Sequence, residues 1–253
     1  MANSEQAEGT SADIRAVARV GQICSLFGPR VIELTAAEVA ERTGLNRTTA
    51  YRYCSSMVAA GILDRGSRRG TFVLGGLMLE LGALALGRQR IVEIARPHLR
   101  KLSAAVRMTA VLGVRGSQGP VVALVEEDTS HPVVLTVHVG TKLDASAAQT
   151  ILLLAYSDQA TMDLVAGDLS PADRARLEAE VNTARQRGFS FVRHRGGSFG
   201  LAAPVFDEKG LCATVAVLGA GDVTDLSGPL DQLLATAAAL TDELGGEPAS
   251  ATG

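Results

Sequence analysis

Arginine side chains crowd one short stretch of this 253-residue chain: between Arg42 and Gly70 stand six arginines and one acid, Asp64. Within that stretch Arg47, Thr48, Thr49, Tyr51, Arg52 and Ser55 fall along one outward face of a helix. A guanidinium is always charged, and it can grip a guanine edge or a phosphate with two parallel hydrogen bonds. Threonine and tyrosine hydroxyls can bond phosphate oxygens. This set suits duplex DNA, with Asn46–Thr49 at the helix start entering the major groove. Arg65, Arg68 and Arg69 follow on a polar, glycine-flanked segment and extend the cationic surface toward neighbouring phosphates.

Three helices and a hairpin must position these side chains. Ile14, Val17, Val20, Cys24 and Phe27 recur every three or four residues and predict a first helix, stopped by Gly28-Pro29. Thr35 with Glu38 predicts a capping box that opens a helix to Arg42, and Thr35 is counted with the DNA-facing residues. Thr43-Gly44-Leu45-Asn46 reads as a tight turn, and a third helix runs to about Ala60, closed by Gly61. Ala40 lets the two helices cross closely, and Gly44 makes the turn four residues later. Ala50, Tyr53, Met57 and Val58 face inward. That is the register of a helix-turn-helix. Ile62–Asp64 and Thr71–Leu74 predict two strands whose 66–70 tip forms a wing.

The net charge of −3 conceals a split: residues through Arg90 carry +3 and the remainder −6. Such a split points to nucleic-acid contact by one of the two parts, the alternative being a solvated charged face. With 47% apolar and 20% charged residues, the chain is neither disordered nor fibrous, and it is long enough for one large domain or two small ones. The pattern predicts a tail over 1–12, a winged helix-turn-helix over 13–75, a Leu/Ala-rich linker helix over 76–90, a second domain over 91–246, and a frayed tail over 247–253. In the second domain, helices are expected at 91–107, 146–156, 158–166 and 170–187, with a closing helix marked by Leu226 to Leu240. Strands are expected at 109–114, 120–126, 133–138, 189–192, 201–206 and 211–218. This is α+β rather than regular βαβ alternation.

Other classes find less support. There is no GxSxG elbow, P-loop or HExxH, and Gly219-Ala220-Gly221 lacks the third glycine of a dinucleotide loop. His98, His131, His138 and His194 lack metal-ligand spacing. No enzyme, catalytic residue, metal or cofactor is expected. Cys24, Cys54 and Cys212 are odd in number and scattered, which argues against a disulfide framework and fits a reducing cytoplasm. Neither a signal peptide nor a membrane span is expected. A DNA-binding scaffold whose second domain only oligomerises stays open.

The segment Leu34-Thr35-Ala36-Ala37-Glu38-Val39-Ala40-Glu41-Arg42-Thr43-Gly44-Leu45-Asn46-Arg47-Thr48-Thr49-Ala50-Tyr51-Arg52 resembles the start of IclR-family transcriptional regulators. Phe72-Val73-Leu74-Gly75 is similar to the family's wing end, and Ala95–Leu102 to the start of its effector domain. Gly188-Phe189-Ser190 and Ala202–Asp207 match two further blocks in the family's order, so the likeness covers about residues 13–244. The resemblance implies a winged helix-turn-helix joined by a linker helix to a curved antiparallel sheet flanked by helices. It also implies a homodimer or homotetramer on a palindromic operator, acting as repressor or activator, often of catabolic genes.

The resemblance further implies where a small organic effector binds. Family members with polar acid ligands have a small Gly-Ala pair at a helix start, an acid after the Gly-[FY]-[AS] block, and paired serines on a late strand. Here Ala147-Ala148 occupy the first place, with Thr150 where the family often has Lys. Val192-Arg193-His194-Arg195 fills the second without a carboxylate, and Ala216 and Leu218 stand for the serines. The expected lining is Ala147, Ala148, Arg193, Ala203, Ala216 and Leu218. A pocket so changed favours an effector with a sizeable apolar or aromatic body, and Arg193 or Arg195 could hold one carboxylate.

Overall fold

A computed structural model describes residues 14–128, 137–221 and 225–247. The expected tails fall almost wholly outside these residues. So does the strand at 133–138, except Val137 and His138, which are not in a strand. The chain divides into two compact units at Ala83/Leu84.

The first unit begins with α1 (Arg15–Cys24), β1 (Leu34–Thr35), α2 (Ala36–Thr43) and α3 (Arg47–Ala59), followed by β2 (Leu63–Arg65) and β3 (Thr71–Leu74). The three strands form an antiparallel sheet in the order β1-β3-β2. The capping box is present: the Thr35 hydroxyl accepts from Glu38 N, while Glu38 accepts from Thr35 N. Gly44 ends α2 at φ 69°, a left-handed conformation that a side chain resists. Ile23, Leu34, Val39, Ala50, Cys54, Met57, Leu63 and Phe72 form the core. The expected α1 stripe is only half right. Ile14 and Val17 are exposed, and Ile23, outside that stripe, is the buried residue of α1.

Helix α4 (Gly76–Gly87) spans the division and has no buried residue; Leu79, Leu81, Leu84 and Leu86 are all exposed. The second unit holds α5 (Arg90–Val106), β4 (Thr109–Gly116), β5 (Gly119–Glu126), α6 (Ala148–Ala155), α7 (Gln159–Ala166) and α8 (Pro171–Arg187). It continues with β6 (Ser190–Arg193), β7 (Ser198–Asp207), β8 (Gly210–Ala220) and α9 (Ser227–Glu243). Its sheet runs β5-β4-β8-β7-β6, antiparallel throughout. Successive strand residues point to opposite faces, so the sheet carries two cores. Leu201, Ala203, Val215 and Val217 pack with α5 and α9. Ala202 and Ala216 pack with α6 and α8.

Candidate nucleic-acid interface and effector cavity

Along α3, Ala50, Cys54 and Met57 are buried, while Arg47, Thr48, Tyr51 and Arg52 are exposed and Thr49 is half-buried. The helix therefore presents most of the expected face, but Ser55 is half-buried with its hydroxyl shielded from solvent. Two of the expected residues are already occupied. Asn46 Oδ1 accepts from Thr49 N at 2.8 Å and caps α3. The Thr35 hydroxyl also donates to Glu38 Oε2 at 2.8 Å. Both can face DNA only while holding their helices in place.

The wing arginines differ from one another. The Arg65 guanidinium lies 4.9 Å from the Phe72 ring centroid and 5.8 Å from that of Tyr51, whose ring meets Phe72 edge-on at 6.3 Å. A hydrogen bond from Arg65 is the largest influence lowering the Tyr51 hydroxyl pKa. Tyr51, though exposed, thus also links the helix to the wing. Arg68 Nε donates to Glu33 Oε2 at 3.1 Å, and Arg69 is exposed. Glu33 lies outside the arginine-rich stretch and carries no local sequence signal; its carboxyl is lowered to about 2, chiefly by the Thr71 hydroxyl and then by Arg68 N. A groove of about 750 Å³ runs between α1 and α3, lined by Val17, Val20, Tyr53, Met57 and Ile62 among others.

In the second unit the start of α6 closes over β7 and β8. There Ala147, Ala148, Ala216 and Leu218 line a cavity of about 50 Å³ together with Val111, Val137, Leu143, Gln149, His194 and Gly200. Four of the six expected effector residues are brought together, and two are not. Ala203 is buried on the opposite face of the sheet, against α5 and α9; its neighbour Ala202 packs on the α6 side. Arg193 is exposed at the end of β6, and His194 rather than Arg193 reaches the cavity. Gln149 Nε2 donates to Thr214 O at 3.0 Å. A Cβ at Gly113 would stand 2.8 Å from that nitrogen, so the absence of a side chain there admits the amide. Helix α6 has no side-chain cap, which leaves its first amides to other acceptors. Gln149 and His194 could have been suspected from their positions beside the small pair and the Arg-His-Arg segment. Val111, Val137 and Leu143 gave no such signal.

Among the described residues no group of His, Cys, Asp or Glu could hold a metal ion, and no helix is long and apolar enough to cross a membrane.

Residues 16–67 match the model of the IclR helix-turn-helix domain, and residues 83–242 that of the bacterial transcriptional regulator IclR C-terminal domain. The regulator KipR of Bacillus subtilis is 27% identical over 198 residues, covering 74% of this chain and 78% of that protein. The p-hydroxybenzoate hydroxylase transcriptional activator of Acinetobacter baylyi is 26% identical over 226 residues, covering 82% of each. Solved structures share the fold, two of them as follows. An IclR-family regulator from Brucella abortus has a TM-score of 0.75 at 18% identity, covering 95% of this chain and 96% of its own. An IclR homologue from Microbacterium hydrocarbonoxydans, complexed with 4-hydroxybenzoate, has a TM-score of 0.70 at 22% identity, covering 90% and 98%.

Proposed function

Because the chain belongs to the IclR family of DNA-binding transcriptional regulators, we infer that a small organic effector occupies the α6 cavity and alters the grip on a palindromic operator. The observation that carries this reading is the cavity itself: small and apolar side chains on the sheet, with Gln149, His194 and the uncapped α6 start as its polar groups. An effector matched to it has a compact aromatic or largely apolar body and one carboxylate. The carboxylate meets the α6 amides and His194 rather than Arg193. The 4-hydroxybenzoate bound to the Microbacterium homologue and the name of the Acinetobacter activator support this class. At about 50 Å³ the cavity is smaller than a typical ligand pocket of roughly 300–1,000 Å³, so binding must displace side chains such as Leu218 or Leu143. That same small volume favours a second reading, in which the unit serves only for assembly.

Thermal-shift screening of 4-hydroxybenzoate and benzoate against glyoxylate and pyruvate tests the reading. Stabilisation by the aromatic acids, with operator release, supports it. Stabilisation by the short acids alone overturns the pocket assignment, and no response to any supports the scaffold. A palindromic site requires paired copies. The four exposed leucines of α4 are where we place their contact, in a homodimer or homotetramer working in the cytoplasm.

A further inference from the structure

The wing tip is folded around a carboxylate that does not belong to it. Glu33 precedes β1, the edge strand paired with β3, and so reaches the 66–70 tip from outside the hairpin. Its Oε1 accepts from Arg68 N at 3.1 Å and its Oε2 from Arg68 Nε at 3.1 Å. Ser67 Oγ stands 3.5 Å from both oxygens. The Thr71 hydroxyl lies between Glu33 Oε1 and the Arg68 carbonyl and donates its one proton to either. Gly66 completes the arrangement: any Cβ there would overlap the Glu33 carboxylate. The Glu33 side chain is 13% exposed, whereas that of Arg68 is 68% exposed.

Two consequences follow for an arginine offered to phosphate. Its backbone and side chain are both held by one acceptor, so the ordering of a long side chain is done before DNA arrives. The terminal guanidinium nitrogens form no hydrogen bond among the described residues and remain to grip an oxygen. The nearby negative charge also offsets the cation, which weakens attraction to any duplex irrespective of its sequence.

We propose that Glu33 is a positioning residue for DNA recognition, fixing the wing so that Arg68 meets phosphate in one register while reducing sequence-independent binding. Glu33 touches no DNA in this role; it works through Arg68. The proposal rests on the DNA-binding function of the family and is independent of the effector cavity.

The test compares the full chain with Glu33→Gln, Glu33→Asp, Arg68→Ala and the double variant Glu33→Gln/Arg68→Ala. The probes are a duplex enriched by the wild-type chain from a randomised library and a mixed-sequence duplex of equal length. With Glu33→Gln the ratio of specific to non-specific affinity is expected to fall at least about tenfold, the equivalent of one charge-assisted hydrogen bond. Affinity for the mixed duplex is expected to hold or rise, and its salt slope to steepen by up to about 0.9. Glu33→Asp, which keeps the charge, should recover part of the ratio. In the Arg68→Ala background the Glu33 change should lose most of its effect on the ratio, because the guanidinium it positions is gone while Arg68 N and the Thr71 hydroxyl still hold the wing tip. The proposal fails if Glu33→Gln lowers both affinities equally at unchanged slope, which marks a merely structural residue. It also fails if Glu33→Gln binds as the wild type does, or if its effect persists undiminished without Arg68.

Discussion

Filling the α6 cavity separates its packing from its function. Ala216→Phe is too coarse, since a phenyl ring overfills a void of about 50 Å³ and overpacking costs about 1–3 kcal/mol. Ala216→Val adds two methyl groups, and a β-branched side chain suits a strand. At about 24 cal/mol per Å³ of cavity, filling 50 Å³ stabilises by at most about 1.2 kcal/mol. For a unit of this size that raises Tm by about 2–5 °C. A wild-type chain in 4-hydroxybenzoate at one hundred times Kd gains about 2.7 kcal/mol, a shift of about 5–10 °C. Scanning calorimetry with and without the acid is the assay. The expected result is a variant that melts higher than wild type and no longer responds to the acid, while still binding the selected duplex. A variant that melts lower has no void to fill. One that melts higher yet still shifts with the acid places the effector elsewhere. Either outcome refutes the reasoning.

Asn46→Ala removes the α3 cap and should cost about 1 kcal/mol, read by chemical denaturation, together with weaker DNA binding because Thr49 and the helix start lose their anchor. Glu33 predicts an acid limb: its folded pKa near 2 lies below its ordinary 4.5, so its stabilisation is complete above about 4.5 and is lost as pH falls through 2. Melts between pH 2 and 6 should show that limb in the wild type and a smaller one in Glu33→Gln. Leu81→Asp with Leu84→Asp should reduce the assembly by sedimentation at micromolar concentration; an unchanged mass would move the contact away from α4. Arg69→Ala should flatten the salt slope more than Arg65→Ala, whose guanidinium is spent on Phe72 and Tyr51. Equal slopes would deny that division.

The helix-turn-helix was legible because its signals are local. A capping box, a turn glycine and an arginine face each act within a few residues, and the Thr35–Glu38 and Gly44 geometry follows from them. The antiparallel strands of the second unit could also be read from runs of β-branched and small residues, yet their faces could not. Ala202 and Ala203 are chemically the same residue, and only strand parity sends one to α6 and the other to α9. The parity in turn depends on where β7 begins in its pairing with β8, which is set by contacts far away in sequence. Arg193 and His194 differ in the same way: the end of β6 falls between them, and the histidine is the one that reaches the cavity.

Charge depends on distant contacts for a related reason. Counting arginines between Arg42 and Gly70 treats each as a free cation, and the sequence offers only Asp64 to offset them. In the fold, the acid that matters is Glu33, outside that window and brought to the wing by the β1–β3 pairing. Arg65 is held over two aromatic rings, one from α3 and one from β3. Of three exposed wing arginines, one lies over two aromatic rings, one is shared with a carboxylate, and Arg69 has neither contact among the described residues. What the wing contributes to DNA is then less a sum of charge than a shape. Its shape is fixed by a residue without which Arg68 would attract any phosphate equally well, and that difference between holding a cation and merely having one is what separates recognition of a sequence from adhesion to DNA.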